Sequence, residues 1–113
     1  MTLSMQRRLL SLEPWLVRAL IPPGLVGTYL LYKGGYPIYA GRSDRDLRRR
    51  LISHAYNNRA DYFEFDVHAD SKQAYDVECA LYHTLEGHTT NLIHPASPAC
   101  TDLECFICNA VVT

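Results

Sequence analysis

Long apolar runs are missing from this sequence. None approaches the roughly 18 consecutive residues that a membrane-spanning helix needs, so no membrane partner is expected. An excess of one charge is missing as well. Eleven Lys and Arg stand against twelve Asp and Glu, giving a net charge of −1 and a pI near 6.5. That balance excludes a bulk nucleic-acid coat protein but leaves room for a local basic patch, because affinity follows the patch and not the total. Internal repeats and low-complexity stretches are absent. So is a secretory signal, since Met-Thr-Leu-Ser-Met-Gln-Arg-Arg at the start has neither a long apolar core nor a small-residue cleavage site. The expectation is a cytoplasmic location, where four cysteines remain reduced and serve metal binding sooner than a disulfide framework. What is present, 113 residues of which 48% are hydrophobic and 20% charged, has the composition of one globular domain.

The order of elements follows from periodicity and breakers. Ser11-Leu12-Glu13-Pro14 reads as a helix start, and Leu12, Trp15, Leu16 and Ala19 recur at helical spacing before Ile21-Pro22-Pro23-Gly24 ends the run. This leader helix either packs across the core or contacts a nucleic acid. Residues 26–33 and 37–41 are short, β-branched and aromatic, with Gly34-Gly35 between them, and read as a hairpin. Residues 62–68 alternate, which predicts a half-buried strand with Phe63, Phe65 and Val67 inward. A helix capped by Ser43 or Asp44 is expected to run to Tyr56 with Leu47, Leu51, Ile52 and Ala55 as its apolar stripe, stopping at Asn57-Asn58. Another follows Ser71 and reaches Gly87, with Ala74, Val77, Leu81 and Leu85 on one face. The fold class is therefore α+β: a small three-stranded antiparallel sheet flanked by helices.

Three features could carry chemistry. Glu78 falls on the stripe of the last helix that should face the core, where an unpaired carboxylate is costly. It needs a cation, a donor network or a function, unless it sits at the stripe edge and reaches solvent. Arg42, Arg45, Arg48, Arg49 and Arg50 lie within nine residues, which makes either a phosphate-binding patch or a solvated helix face. Arg50 and His54 are four apart and so neighbours on one helix face. In the tail, His94, Cys100, Cys105 and Cys108 include the knuckle Cys105-Phe106-Ile107-Cys108, the unit of tetrahedral zinc sites. The expected zinc set is Cys100, Cys105 and Cys108 with His94 as fourth ligand, pinning the tail. Packed reduced cysteines or a disulfide are the alternatives.

Gly27-Thr28-Tyr29, then Tyr39-Ala40-Gly41, then Leu47-x-x-Arg50-Leu51-x-x-His54, then Glu78 and finally Asn91 occur in an order that resembles the GIY-YIG nuclease family. The resemblance covers about residues 26–95, with residues 1–25 as a helical leader and 96–113 as a cysteine-containing tail. Thr28 and Ala40 replace aliphatic residues of the family pattern. The Gly41–Arg50 interval is one residue longer than the resemblance leads one to expect. Arg49 therefore competes with Arg50, and Arg50 is preferred because Arg-Leu-x-x-His keeps the local register. The resemblance implies a β-β-α-β-α core and metal-dependent hydrolysis of phosphodiester bonds, with Tyr29, Tyr39, Arg50, His54, Glu78 and Asn91 in the catalytic site. Glu78 would hold Mg²⁺ or Mn²⁺, hard cations that prefer oxygen. Arg50 would bind the developing charge, and Tyr29 would act on the attacking water with help from a cation or from His54. Tyr39 would support the site, and Asn91 would brace the backbone.

A shared site makes a demand on the hairpin. A plain two-residue Gly34-Gly35 turn would put Tyr29 and Tyr39 on opposite faces, so an odd loop or a bulge is expected, with Tyr29 opposite Gly41 and Leu31 opposite Tyr39. Arg42, Arg45 and Arg49 are the expected nucleic-acid contacts, with DNA preferred to RNA. The near-neutral charge points to weak intrinsic affinity, with a homodimer or protein partner supplying specificity. The competing reading is a binding module with a weak or inactive site. A purely structural zinc domain would leave Glu78 and the ordered tyrosines unexplained.

Overall fold

In a computed structural model, residues 9–85 together with 105 and 106 are described. Along them come β1 (Leu10–Ser11), α1 (Pro14–Leu20), β2 (Gly27–Lys33), β3 (Tyr36–Ser43), α2 (Leu47–Tyr56), β4 (Tyr62–Val67) and α3 (Ser71–Thr84). The sheet is antiparallel throughout, in the order β1-β4-β2-β3. It has four strands among the described residues, not the expected three. The extra strand is the two-residue β1, pairing Leu10 with Phe63 and Ser11 with Tyr62. A pair that short carries no periodicity and exists only because β4 offers it an open edge.

The hairpin resolves the demand placed on it. Gly34 and Gly35 have φ of 59° and 84°, left-handed at both central positions, which glycine adopts without strain and which a two-residue hairpin turn requires. Lys33 faces Tyr36 and Tyr32 faces Pro37, but the register then shifts, so Leu31 faces Tyr39 and Tyr29 faces Gly41. The turn is tight and the bulge, at Ile38, supplies the extra residue. Tyr29 and Tyr39 consequently share one face.

That face carries the main core. Tyr29, Leu31 and Phe63 pack with Leu47 and Leu51 of α2 and with Leu12, Val17 and Ile21 of the N-terminal segment. Burying each of these side chains is worth about 1.5–3 kcal/mol. The stripe expected for α1 is not the buried one: Trp15 is 62% exposed and Ala19 is also outward, whereas Val17 is fully buried. Glu13 occupies the N-cap position and Leu12 lies before the helix, so the phase is set by the Val17–Ile21 pair and not by Leu12. Helix α2 begins later than expected, because β3 extends through Ser43 and the cap is Asp46, whose carboxylate accepts from the Arg49 N–H. Val67 is exposed at the end of β4, not inward.

Helix α3 packs on β2 and β3 from the other side of the sheet. Its buried residues are Ala74, Tyr75, Glu78 and Cys79, while Val77, Leu81 and Leu85 are only half-buried. The expected end at Gly87 lies outside the described residues. No helix among the described residues is long and apolar enough to cross a membrane.

Candidate active site

Because β3 is an edge strand, side chains from both faces of the sheet reach one cleft around it. On the core face, the Tyr29 hydroxyl lies 2.8 Å from His54 Nε2, a buried hydrogen bond between β2 and α2. Tyr39 stacks beside Tyr29 with ring centroids 6.2 Å apart and sits 5.6 Å from the His54 ring. Gly41 makes this packing possible. A Cβ there would collide with Cζ and the hydroxyl of Tyr29, so only glycine lets the phenol lie across β3.

On the other face, Arg42 of β3 is clamped. Its Nη1 donates to Glu78 Oε1 at 2.8 Å, its Nε donates to Asp44 Oδ1 at 2.8 Å and its Nη2 donates to Asp44 Oδ2 at 3.1 Å. The guanidinium also lies 5.2 Å from the centre of the Tyr75 ring. Of the alternatives left open for Glu78 (a cation, a donor network, a function or the stripe edge), the structure supplies a cation, Arg42. Burial alone would lower the Arg42 pKa, but the hydrogen bond it donates to Asp44 and the charge of Glu78 outweigh it and the net direction is upward. Arg42, expected as a nucleic-acid contact, is thus tied into an internal ion-pair network with 11% of its side chain exposed.

The two halves open on a cleft of about 800 Å³, whose walls include Tyr29, Tyr39, His54, Arg50 and Glu78. Arg45, Arg49 and Arg59 also line it, together with Asp44 and Asp46, so the arginines outnumber the carboxylates around it. Electrostatics divide the roles. Burial, reinforced by Tyr39, raises the Tyr29 pKa well above the usual phenol value, against the opposing pull of Arg50. The phenol therefore holds its proton and releases it only directly to an acceptor. Burial, then the charges of Arg59 and Arg50, push the His54 pKa down to about 4, so the ring is neutral at physiological pH. For Nε2 to accept from the Tyr29 hydroxyl, that ring must carry its own proton on Nδ1. His54 Nδ1 is buried and has no hydrogen-bond partner among the described residues.

Of the residues expected in the catalytic site, five converge here. Asn91 lies outside the described residues, as do His94, Cys100 and Cys108. Arg49 and Arg50 both reach the cleft, but it is the charge of Arg50 that acts on Tyr29 and His54. Sequence reasoning missed Arg59 and Asp44. Arg59 follows Asn58, whose φ of 51° turns the chain back so that the Arg59 N–H reaches the His54 carbonyl. An Asn-Asn helix stop followed by a basic residue was the available signal. Cys79, far upstream of the tail cysteines, packs with Tyr75 and Cys105, and burial pushes its thiol up to about 12. Comparison with protein-family models, with curated proteins and with solved structures finds no match for this chain.

Proposed function

We propose that this chain is a metal-dependent endonuclease that hydrolyses phosphodiester bonds, in DNA in preference to RNA, and that its site is of the GIY-YIG kind. The observation that carries the reading is the meeting of Tyr29, Tyr39, His54, Arg50 and Glu78 in one cleft, although they come from four separate elements. The excess of arginine over carboxylate in the lining suits a phosphate backbone.

The donor chemistry fits a hard divalent cation. Glu78 is an oxygen ligand kept in the cleft wall by Arg42, and Mg²⁺ takes one or two carboxylates with several waters. When bound, Mg²⁺ or Mn²⁺ supplies charge neutralisation at the scissile phosphate and the leaving oxygen. The chain's own residues do the rest. Arg50, with Arg45 and Arg49 on the rim, holds the phosphate and stabilises its developing charge. Tyr29 orients the attacking water and, as it takes the water's proton, passes its own along the 2.8 Å hydrogen bond to His54 Nε2. His54 is a reluctant acceptor because Arg50 and Arg59 disfavour its cation. A bound phosphodiester offsets those two charges, so proton transfer is favoured only when substrate is present. Tyr39 fixes both rings in place.

One observation favours a second reading, a nucleic-acid-binding module with a weak site: Arg42 already occupies Glu78 Oε1. Cleavage of supercoiled plasmid and of a branched oligonucleotide in Mg²⁺, in Mn²⁺ and in EDTA separates the two. The expected outcome is metal-dependent cutting that disappears in Glu78→Ala and in Tyr29→Phe, both retaining native circular dichroism. Equal cutting by folded variants would refute the site, and tight DNA binding without cutting would select the module.

A further inference from the structure

Among the described residues, each carboxylate that lines the cleft has a task. Asp44 and Glu78 hold Arg42, and Asp46 caps α2. Arg50 and Arg59 line the same cleft, and among the described residues neither is ion-paired. Different elements set their places. Arg50 lies one turn before His54 on α2. Arg59 follows the helix, where Asn58 in the left-handed region turns the chain back and the Arg59 N–H donates to the His54 carbonyl at 3.2 Å. Both side chains reach the cleft wall that Tyr29 and His54 share.

The two guanidiniums act on the same pair of rings. Both draw on the Tyr29 phenol, and both oppose a proton on His54, Arg59 more strongly than Arg50. From the other elements, Tyr39 of β3 packs on both rings without bringing a charge, and Glu78 of α3 acts on Tyr29. Two like charges converging on one buried imidazole repel each other in the free protein, and an anion between them turns that repulsion into attraction. Guanidinium is suited to the task, since its planar fork matches the oxygens of a phosphate. A purely structural role, offsetting the dipole at the C-terminus of α2, would account for a positive charge at position 59. It would not account for a side chain turned into the cleft.

We propose that Arg59 is a second phosphate-binding residue, which together with Arg50 holds one phosphodiester group across the Tyr29–His54 hydrogen bond and does so without a metal ion. The inference rests on the reading that the cleft takes a phosphate backbone, and adds to it the residue that couples occupancy of the cleft to His54. The bound anion offsets both guanidiniums, so the imidazole holds a proton more readily. By linkage, a proton on His54 tightens anion binding by the same factor.

The test uses the full chain in EDTA, with sulfate and a thymidine dinucleotide as probes, both of which keep their charge as the pH is varied. The uncharged methylphosphonate dinucleotide controls for sugar and base contacts. Nitrogen-15 NMR of the His54 ring follows binding and proton titration together. Wild type should bind both charged probes and not the uncharged one, and the proton affinity of His54 should rise on binding. Arg59 is exposed, so its variants keep the fold. Arg59→Gln should weaken binding roughly tenfold, raise the proton affinity of His54 in the free protein and lose most of the further rise on binding. Arg59→Lys should restore the free-protein value while binding the probes more weakly than wild type. Arg18→Gln makes the same change in net charge on exposed α1 and should move neither quantity. Wild-type binding in Arg59→Gln, or an equal loss in Arg18→Gln, would overturn the role of Arg59 and leave the cleft reading intact. Sulfate bound with the dinucleotide excluded would overturn the phosphodiester in favour of a free oxyanion. Wild type that binds neither charged probe would overturn the cleft reading and the proposal together.

Discussion

Acidification should destabilise this fold through His54, by an amount that the structure sets. The ring is buried, its Nε2 is engaged by the Tyr29 hydroxyl, and Arg59 and Arg50 lie close enough to oppose its protonation, which together bring its pKa from 6.5 down to about 4. Tyr39, packed against the same ring, offers no negative charge in compensation. Because the folded-state value lies below the unfolded one, the unfolded chain binds more protons between the two. Stability is therefore full above about pH 6.5 and is lost as the pH falls toward about 4. At roughly 1.4 kcal/mol for each tenfold difference in proton affinity, going from about pH 7.5 to about pH 4.5 removes between roughly 2 and 3 kcal/mol. That is a large share of the roughly 5–15 kcal/mol that holds a domain together. The assay is urea unfolding followed by circular dichroism across that range, for wild type and for His54→Gln. Glutamine does not titrate, so the carboxylates contribute the same slope to both proteins and the difference isolates His54. Wild type should lose between roughly 2 and 3 kcal/mol more than the variant over the range. Parallel curves would show that the folded protein accepts the imidazolium without penalty, and would refute both the electrostatic account of His54 and its role as a reluctant proton acceptor.

Other consequences can be checked by single substitutions. Tyr29→Phe leaves His54 without its partner and should cost about 1–3 kcal/mol in denaturant titrations, while lowering any metal-dependent cleavage rate by roughly 10²–10⁴. Gly41→Ala forces a Cβ into the Tyr29 ring; an expected loss of about 1–3 kcal/mol should be read by thermal unfolding, together with a displaced His54 ring signal by NMR. Arg42→Met leaves Glu78 buried without its cation, and is expected to cost roughly 3 kcal/mol, whereas Arg45→Met at the exposed rim should leave stability within about 0.5 kcal/mol of wild type. If the two arginine variants unfold at the same urea concentration, the ion-pair network has no structural weight.

Much of the fold follows from local pattern. The alternation at Tyr62–Val67 and the Gly34-Gly35 punctuation place strands and turn because the period of two and the left-handed glycines are local properties of the backbone. That the hairpin needs an odd loop or a bulge was legible too, through the requirement that Tyr29 and Tyr39 share a face, but the choice of a bulge and its place at Ile38 were not. Trp15 shows where such reasoning fails. Its spacing from Leu12 suits an amphipathic helix, yet the helix starts after Leu12 and a neighbouring turn buries Val17 instead. Helix phase is decided by which face meets α2 and the sheet, and that is information from other segments.

The candidate site divides in the same way. Its residue types, the four-residue spacing of Arg50 and His54 on one helix face, and the demand that a carboxylate at position 78 find a cation, a donor network, a function or the stripe edge can be read from the residues alone, because each rests on the chemistry of a side chain or the pitch of a helix. That the cation is Arg42, that Arg59 turns back toward His54 and that Cys79 meets Cys105 depends on the folded chain. These are contacts between residues 36, 5 and 26 positions apart. The first exists because α3 packs on β3 and the last because residue 105 returns to α3, and no local propensity encodes either meeting.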